Sequence, residues 1–512
     1  MPEPTDDLSR RQLAGALAGL LAAFAALAAA ELAAVFVRPE ASPVVAVGDA
    51  VVDATPTWLR EWAITQFGTN DKHVLVGSIL VLLVLLSLVT GALAVRRRAV
   101  GLAGVAVLGL VGAVAAATRP DAEPLDPFPS LVGAVIGAMA LILLLRPLAA
   151  GSSVATDDQR RQLLVTAAWI GAVSVLAGSV GRSLNASKGT VAAARAAVRL
   201  PAPATPAPPL PAGSELKIPG LSPFTTPTGD FYRIDTALIV PQVSTDGWRL
   251  RVHGMVDREV ELDFAQLLGR PMVERDVTLT CVSNEVGGNL AGNARWLGAP
   301  LAALLEEVGV DPRADMILSR SKDGMTIGTP TAVVMDGRDA MLAVGMNGQP
   351  LPAEHGFPVR MVVPGLYGYV SATKWLVDLE LTRFDRETPY WVERGWVPKA
   401  PIRTASRIDT PRSFTDLKTG RVAVAGVAWA QHRGIAKVEV RVDGGSWAQA
   451  RLAEVPSVDT WRQWVWEWAA TSGRHVLEVR ATDADGVTQP GRQRMPFPSG
   501  ATGWHAVEVS VS

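Results

Sequence analysis

The chain contains a single cysteine, Cys281, among its 512 residues, and its formal net charge is only −1. One cysteine cannot form an internal disulfide, so each domain must be stabilised by core packing alone. The charge balance also lacks the excess of lysine and arginine that nucleic-acid-binding domains carry. The sequence therefore predicts no nucleic-acid partner, and it leaves the Cys281 thiol either inert and buried or used chemically.

Aromatic residues are sparse before residue 220, where Ala, Leu, Val and Gly dominate. A bilayer core about 30 Å thick requires about 20 helical residues. Five apolar stretches are long enough, and they lie near residues 13–37, 74–95, 99–117, 130–149 and 163–181. The sequence thus predicts a five-helix transmembrane bundle over residues 1–185, in contact with membrane lipid.

The distribution of arginines in the short loops predicts the orientation of this bundle. Arg10, Arg11, Arg96, Arg97, Arg98, Arg146, Arg160 and Arg161 all fall on one side. The opposite loop at 118–129 sets Arg119 against three acidic residues. We therefore expect a multi-pass protein of the cell membrane, with a cytoplasmic N-terminus and an extracytoplasmic region after the fifth span.

Two arginine pairs, at 10–11 and 160–161, also resemble twin-arginine export signals because each precedes an apolar span. The first is better explained by the charge rule for loops, and both explanations stay open for the second. Only His73 lies near the spans and no C-x-x-C-H motif exists, so no haem is predicted and electrons would pass to a separate carrier. Trp58 and Trp62 suggest an interfacial helix.

Three further regions follow the bundle. Residues 186–220 include the tract PAPATPAPPLPAG and predict a semi-rigid Pro/Ala-rich linker. Residues 221–400 mix β-type runs with helical patterns, which is typical of an α+β catalytic domain. Residues 401–512 alternate apolar and polar residues with period two and predict a β-sandwich. In it, Trp464, Trp466 and Trp468 share one strand face, which indicates core packing or a subunit interface.

Cys281 lies at the end of a strand-like run, in the segment VTLTCVSNE, and the glycines Gly287, Gly288 and Gly292 follow within the next eleven residues. A thiolate beside a loop that permits close backbone approach suits a soft, redox-active metal, although an inert buried cysteine is the simpler alternative. Downstream, HGFPVRMVVPGLYGYVSATKW at 355–375 supplies cationic and imidazole side chains on short loops, suited to a phosphate-bearing cofactor.

Four motifs together resemble the sulfite oxidase family: T-C-x-x-N at 280–284, ARW at 294–296, MNGQPLPAEHGFPVRMVVPG at 346–365 and KW at 374–375. The resemblance covers about residues 221–510. It implies an α+β domain that binds molybdenum-molybdopterin through one cysteine, followed by an immunoglobulin-like domain that often forms a homodimer contact.

The resemblance also implies roles for individual residues. Cys281 would be the metal ligand and, with Arg233, the catalytic group. The cofactor-binding residues implied are Tyr232, Arg233, Asp235, Cys281, Asp323, His355, Arg360, Ala372, Thr373 and Lys374.

Three departures from the family pattern concern the substrate pocket. Glu285 and Val286 stand where the family has two arginines, and the loop from Cys281 to Trp296 is shorter. Trp396 occupies the position of a family tyrosine, for which Tyr367, Tyr369 or Tyr390 are spatial substitutes. The cofactor is therefore predicted more firmly than the substrate, which is either sulfite or a sulfoxide.

The leading hypothesis is thus a membrane-anchored, extracytoplasmic molybdenum-dependent oxidoreductase that transfers an oxygen atom to or from a sulfur compound. A catalytically inactive scaffold or docking protein that retains the fold is the alternative. A transporter is a third hypothesis, but Glu31 is the one acidic residue within its predicted spans.

Overall fold

The computed structural model describes residues 4–56, 59, 62, 66–67, 71–149, 157–188 and 191–512. The chain divides into two compact units. The first contains Met1–Thr190 together with the short segment Thr236–Gln242, and the second contains Val191–Asp235 and Val243–Ser512. Trp58 and the side chains of Arg10 and Arg160 lie outside the described residues, so the predictions made for them are not developed further.

The first unit is helical. Its helices are α1 (Pro4–Ala34), α2 (Pro43–Ala54), α3 (Asp71–Arg96), α4 (Arg98–Ala117), α5 (Phe128–Ala149) and α6 (Asp157–Lys188). Within the described residues, five segments are long and apolar enough to cross a membrane: Arg11–Ala34, Lys72–Arg96, Arg98–Ala117, Phe128–Arg146 and Leu164–Gly181. The five predicted apolar helices are therefore confirmed.

Glycines allow α1 and α3 to approach closely. A Cβ added to Gly91 of α3 would lie 2.1 Å from the Gly15 carbonyl oxygen and 2.7 Å from Gly19 Cα. Gly15 and Gly19 form a G-x-x-x-G pair on α1. Small residues at this spacing bring helix backbones into van der Waals contact, which is the main source of helix association in lipid.

Ion pairs tie together the loops at one end of these helices. Arg38 Nε donates to Asp126 Oδ1 at 2.9 Å, and its Nη1 donates to Asp121 Oδ2 at 3.0 Å. Arg119 Nε donates to Asp121 Oδ1 at 3.1 Å. Asp121 and Asp126 of the 118–129 loop are therefore paired with arginines: Asp126 with Arg38, and Asp121 with both Arg38 and Arg119.

The second unit begins with a segment that the sequence analysis assigns to a linker. Helix α7 (Ala192–Ala197) carries Arg195, whose Nε donates to the Leu351 carbonyl at 2.9 Å. Ala204 N–H donates to the Met272 carbonyl, and the Thr205 carbonyl accepts from Glu274 N–H. The prediction of a spacer is wrong here, because the tract hydrogen-bonds along the domain instead of standing free.

The α+β domain contains two sheets. The first has the order β2–β1–β10–β5–β6, built from β1 (Arg249–Gly254), β2 (Val260–Asp263), β5 (Met316–Ser321), β6 (Thr326–Pro330) and β10 (Leu376–Thr382). The second has the order β3–β4–β7–β8, with β9 paired to β7. Its strands are β3 (Val273–Thr280), β4 (Ala291–Pro300), β7 (Met341–Met346), β8 (Gln349–Pro350) and β9 (Arg360–Val362).

Short helices accompany these sheets: α8 (Phe264–Leu268), α9 (Leu301–Val308), α10 (Thr331–Val334) and α11 (Tyr390–Glu393). Helix α9 follows directly from its sequence. Its buried residues Leu301, Leu304, Leu305 and Val308 recur at helical spacing. The helix ends at Gly309, whose φ of 67° is the left-handed conformation that favours glycine at a helix C-terminus.

The C-terminal region is β-rich and also contains two sheets. One has the order β11–β13–β17–β16, from β11 (Ala405–Thr410), β13 (Gly420–Trp429), β16 (Arg451–Leu452) and β17 (Arg462–Ala470). The other has the order β12–β19–β18–β14–β15, from β12 (Thr415–Leu417), β14 (Ile435–Val442), β15 (Ala448–Gln449), β18 (Gly473–Asp483) and β19 (His505–Val511).

Both C-terminal sheets contribute to one hydrophobic core. Trp464 and Trp468 of β17 are buried in it beside residues of β14, β18 and β19, and Trp466 packs against it. The interpretation of the tryptophan stripe as core packing is therefore confirmed.

Candidate active site

Cys281 lies immediately after β3, where the chain turns back towards β4. Its N–H donates to the Leu290 carbonyl at 2.9 Å, and Asn284 Oδ1 accepts from Leu290 N–H at 2.8 Å. Burial raises the pKa of the Cys281 thiol, whereas hydrogen bonds from Ser283 and Val282 act to lower it. The sulfur is thus shielded from water while N–H and O–H donors point at it, an environment that suits a metal-bound thiolate.

Aromatic rings cluster around Phe231 and Tyr232, at the start of the α+β domain. Phe231 stacks on Tyr232 with ring centroids 5.2 Å apart, and it contacts Trp296 and His355 edge-on at 5.8 Å and 5.6 Å. Burial raises the pKa of Tyr232; Cys281 raises it further and Arg360 lowers it. Tyr232 therefore lies within electrostatic reach of both Cys281 and Arg360.

Arg360, on β9, is a buried cation. Its Nη1 donates to the His355 carbonyl at 3.2 Å, and the guanidinium lies over the Trp296 ring at 5.0 Å. Its Nε has no hydrogen-bond partner among the residues that the structure describes. Burial lowers the pKa of Arg360 to about 10. A buried guanidinium with a free donor is a ready site for an anionic group.

His355 is almost completely buried next to this arginine. Its Nε2 lies 3.3 Å from the Thr228 carbonyl oxygen, which assigns the ring proton to Nε2 and leaves Nδ1 as an acceptor. Burial, followed by the charges of Arg360 and Lys374, lowers the pKa of His355 to about 4. The imidazole is therefore neutral near pH 7.

Lys374 supplies a second cation, whose side chain is 11% exposed. Its Nζ donates to Asp235 Oδ2 at 2.9 Å and to the Glu354 carbonyl at 3.3 Å. Burial lowers its pKa to about 8, against the opposing effect of Asp235. Arg233 Nε donates to the same Asp235 oxygen at 2.8 Å, and Asp323 interacts electrostatically with both Lys374 and Asp235.

Two predicted cofactor residues present no side-chain polar group to this site. Thr373 is fully buried, and its hydroxyl lies 2.6 Å from that of Ser319, which in turn donates to the Ile327 carbonyl. Ala372 packs against the core cluster around Trp296. If these residues contact a cofactor, only their backbone groups are available.

The remaining predicted residues are linked to one another by hydrogen bonds and electrostatic interactions, and their roles stay predictions. One buried thiol, one neutral imidazole, one buried guanidinium and one half-buried ammonium group form a donor set that fits a soft metal carried by an anionic organic group. Trp296 and Ser283, which contact Arg360 and Cys281, were not singled out by sequence reasoning, although Trp296 lies within the ARW motif.

Comparison with known proteins agrees with this geometry. The sequence model of the oxidoreductase molybdopterin binding domain matches residues 237–391. An uncharacterised oxidoreductase of Bacillus subtilis is 32% identical over 149 residues, which cover 29% of this chain and 72% of that protein. Human mitochondrial sulfite oxidase is 29% identical over 341 residues, which cover 56% of this chain.

The chain belongs to the sulfite oxidase family of molybdopterin oxidoreductases. It spans 62% of the length of the human enzyme. Among solved structures, the sulfane dehydrogenase SoxCD from Paracoccus pantotrophus is 25% identical, with a TM-score of 0.49, and the match covers 57% of this chain and 82% of that one.

One of the departures from the family pattern, at residues 285–286, borders two cavities next to the Cys281 loop. Glu285 and Val286 line both of them. The larger, of about 230 Å³, is also lined by Arg494, Met495 and neighbouring residues of the C-terminal region. Glu285 is exposed. A carboxylate therefore borders both cavities, at a position where the resemblance implies an arginine.

The structure also separates the three tyrosines considered as substitutes for the family tyrosine. Tyr367 is buried and lines the smaller cavity, and burial and the Cys281 thiol raise its pKa. Tyr369 donates instead to the Val397 carbonyl and packs against Trp396, while Tyr390 lies under the Arg394 guanidinium. Tyr367 is thus the one of these three that lies near Cys281.

Proposed function

We propose that this protein is a membrane-anchored molybdopterin oxidoreductase whose catalytic domain lies outside the cytoplasm. It transfers an oxygen atom to or from a sulfur compound and exchanges electrons with a separate carrier. In the oxidative direction, water supplies the oxygen atom, and two electrons and two protons leave. The reduction of a sulfoxide is the reverse. The observation that carries the proposal is that Tyr232 interacts electrostatically with both the buried Cys281 thiol and the Arg360 guanidinium, whose Nε is unsatisfied among the described residues.

Each residue of the site has a task in this proposal. Cys281 ligates the metal, and Arg360 and Lys374 hold the anionic parts of the cofactor by charge-assisted hydrogen bonds. Asp235 holds the ammonium group of Lys374 and the guanidinium of Arg233 on one side of the site. When bound, molybdenum-molybdopterin supplies two-electron oxygen-atom transfer chemistry, and the protein supplies ligation, orientation and exclusion of water.

The location and assembly of the protein are part of the proposal. Five apolar helices in the described residues and the arginine-rich loops on one side support a membrane anchor with a cytoplasmic N-terminus. The two C-terminal sheets around one core support an immunoglobulin-like domain, which would form a homodimer contact as in the family.

We further propose that the substrate is uncharged rather than the sulfite anion. We take the two cavities next to the Cys281 loop, both lined by Glu285, as the entrance for the substrate. A carboxylate at the entrance repels an anion and is indifferent to a neutral sulfoxide. The negative charge of Glu285 therefore disfavours the binding of sulfite relative to a neutral sulfoxide.

The test compares turnover of sulfite and of a neutral sulfoxide by the wild type and by Glu285→Arg. We expect the variant to raise kcat/KM for sulfite about tenfold relative to the sulfoxide, because the charge at the entrance is reversed. Glu467→Arg, at an exposed position on β17 that lines neither cavity, is the matched control. A wild type that prefers sulfite, or a ratio that Glu285→Arg leaves unchanged, would contradict the assignment.

A further inference from the structure

Strand β3, which leads into Cys281, is an edge strand of its sheet. It pairs with β4 on one side only. Its residues alternate, so that the N–H and C=O groups of Glu274 and Thr278 point away from β4. At Glu274 this open edge meets Thr205, as described above. An unsatisfied strand edge would leave the approach to Cys281 free to move, so the partner at Thr278 matters.

At Thr278 the partner is the C-terminal β-rich region. Thr278 N–H donates to the Asp459 carbonyl at 2.9 Å, and its own carbonyl accepts from Gln431 Nε2 at 2.9 Å. The Thr278 hydroxyl accepts from Trp461 N–H at 2.7 Å. Gln431 Nε2 makes a second bond, at 3.1 Å, to the hydroxyl of Thr280, the residue directly before Cys281.

The same region also holds the chain after Cys281. Arg407 Nη1 donates to the Gly288 carbonyl at 2.7 Å. Gly287 has a φ of 77°, and a Cβ on it would lie 2.1 Å from His505 Cδ2. The loop that carries the thiol is therefore fixed at both ends by side chains of the C-terminal region.

Gln431 is maintained at an energetic cost. Its side chain is fully buried, and its Oε1 has no hydrogen-bond partner within the described chain. An unpaired buried carbonyl oxygen is unfavourable, whereas an apolar side chain of the same size would avoid that penalty. The two hydrogen bonds that Gln431 donates to β3 offset this penalty.

We propose that Gln431 and Arg407 are positioning residues for Cys281, so that the C-terminal region fixes the metal-ligating thiol in addition to any role in assembly. Neither residue touches the sulfur; each acts through the backbone that carries it. Only the statement that the thiol ligates a metal rests on the proposed function. The effect of Gln431 and Arg407 on the accessibility of the thiol can be measured without the cofactor.

The chain offers a matched control for Gln431. Gln463 is also a fully buried glutamine of the C-terminal region with two hydrogen bonds. It accepts from Leu216 N–H at 2.6 Å and donates to the Ser222 carbonyl at 2.7 Å, away from β3. Substituting either glutamine by methionine removes two hydrogen bonds with little change in side-chain volume.

The experiment measures the alkylation rate of Cys281, the one cysteine, by iodoacetamide in full-length, cofactor-free protein, together with the rate of molybdenum loss from loaded protein. We expect Gln431→Met to accelerate alkylation about tenfold and to accelerate metal loss, because local opening at β3 becomes easier. Gln463→Met should stay within about twofold of the wild type in both rates. Equal acceleration in the two variants, or none in Gln431→Met, would overturn the inference.

Arg407→Lys provides a second variant if Gln431→Met fails to accumulate as folded protein. It keeps a positive charge near Asp409 but lacks the planar fork that reaches Gly288. Faster alkylation than in Gln463→Met is again expected, and an unchanged rate would overturn the inference. A wild type without molybdenum would defeat the proposed function but would leave this comparison of alkylation rates valid.

Discussion

At the scale of single residues, the site is defined by charges that the protein buries without fully pairing them. The Arg360 guanidinium stacks on Trp296 and bonds one carbonyl, yet its Nε is unsatisfied among the described residues. Such a group lowers the stability of the cofactor-free fold and becomes favourable when an anion is bound. Arg360 therefore lowers the stability of the cofactor-free fold but favours binding of an anionic cofactor.

Arg360→Met should have opposite effects on the stability of the cofactor-free protein and on the binding of the cofactor. In cofactor-free protein we expect the unfolding free energy to rise by about 1 kcal/mol, since an incompletely paired buried charge is removed. The same variant should retain little molybdenum. Thermal unfolding followed by tryptophan fluorescence, with metal analysis, measures both effects.

Arg295→Met is the control for that experiment. Arg295 forms two hydrogen bonds to the buried carboxylate of Asp276, so its removal should destabilise the fold by about 2 kcal/mol. Loss of stability of similar size in both variants would contradict the view that Arg360 is kept for an anion.

His355 gives the site a pH dependence of known sign. Its pKa is about 4 in the fold and about 6.5 when unfolded, so the unfolded chain binds more protons between these values. Stability from this residue is present above pH 6.5 and is lost as the pH falls towards 4, by about 2 kcal/mol at pH 5.

The measurement is the difference in unfolding midpoint between pH 7 and pH 5 in cofactor-free protein. His355→Gln should show a smaller difference than the wild type, because glutamine does not titrate. The hydrogen bond with Asp443 raises the pKa of His475. This residue therefore changes the pH dependence of stability in the opposite direction. His475→Gln should therefore not reduce the difference, and a reduction equal to that of His355→Gln would exclude the assignment.

At the scale of secondary-structure elements, regular patterns were predictable and unpatterned segments were not. The apolar residues of α9 and the alternation in β13, β14, β17 and β18 are local signals, and the structure contains these elements. The Pro-Ala tract before residue 220 was misassigned. Proline-rich composition indicates an extended backbone but does not show whether its carbonyls accept hydrogen bonds from a strand edge, as Thr205 does.

The contact between α1 and α3 makes a prediction at this scale. Gly91→Leu would place a side chain where the Gly15 carbonyl and Gly19 already lie, so we expect a loss of about 1–3 kcal/mol from overpacking. Thermal unfolding in detergent or resistance to proteolysis would detect it. Gly77→Leu, on the same helix with open space around the glycine, should behave like the wild type. Equal effects would refute the close contact.

At the scale of the whole molecule, the sequence indicated which residues belong to the candidate site but not which residues hold their backbone in place. Cys281, His355, Arg360 and Lys374 were identified through motifs that run along the chain. The hydrogen bonds from Gln431 and Arg407 were not predicted, because they join residues more than 100 positions apart and depend on tertiary packing. The burial of the Thr373 hydroxyl was not predicted either, because its contact with Ser319 also depends on tertiary packing.

The central claim is that this chain binds molybdenum-molybdopterin through Cys281. The most direct test is the amount of molybdenum and of released pterin per chain in protein purified from a host that makes the cofactor, beside Cys281→Ser. We predict about one metal and one pterin per wild-type chain, and an altered metal spectrum in the variant, since serine replaces a soft sulfur ligand with a hard oxygen. Wild-type protein free of both metal and pterin would contradict the claim and favour a scaffold that retains the fold.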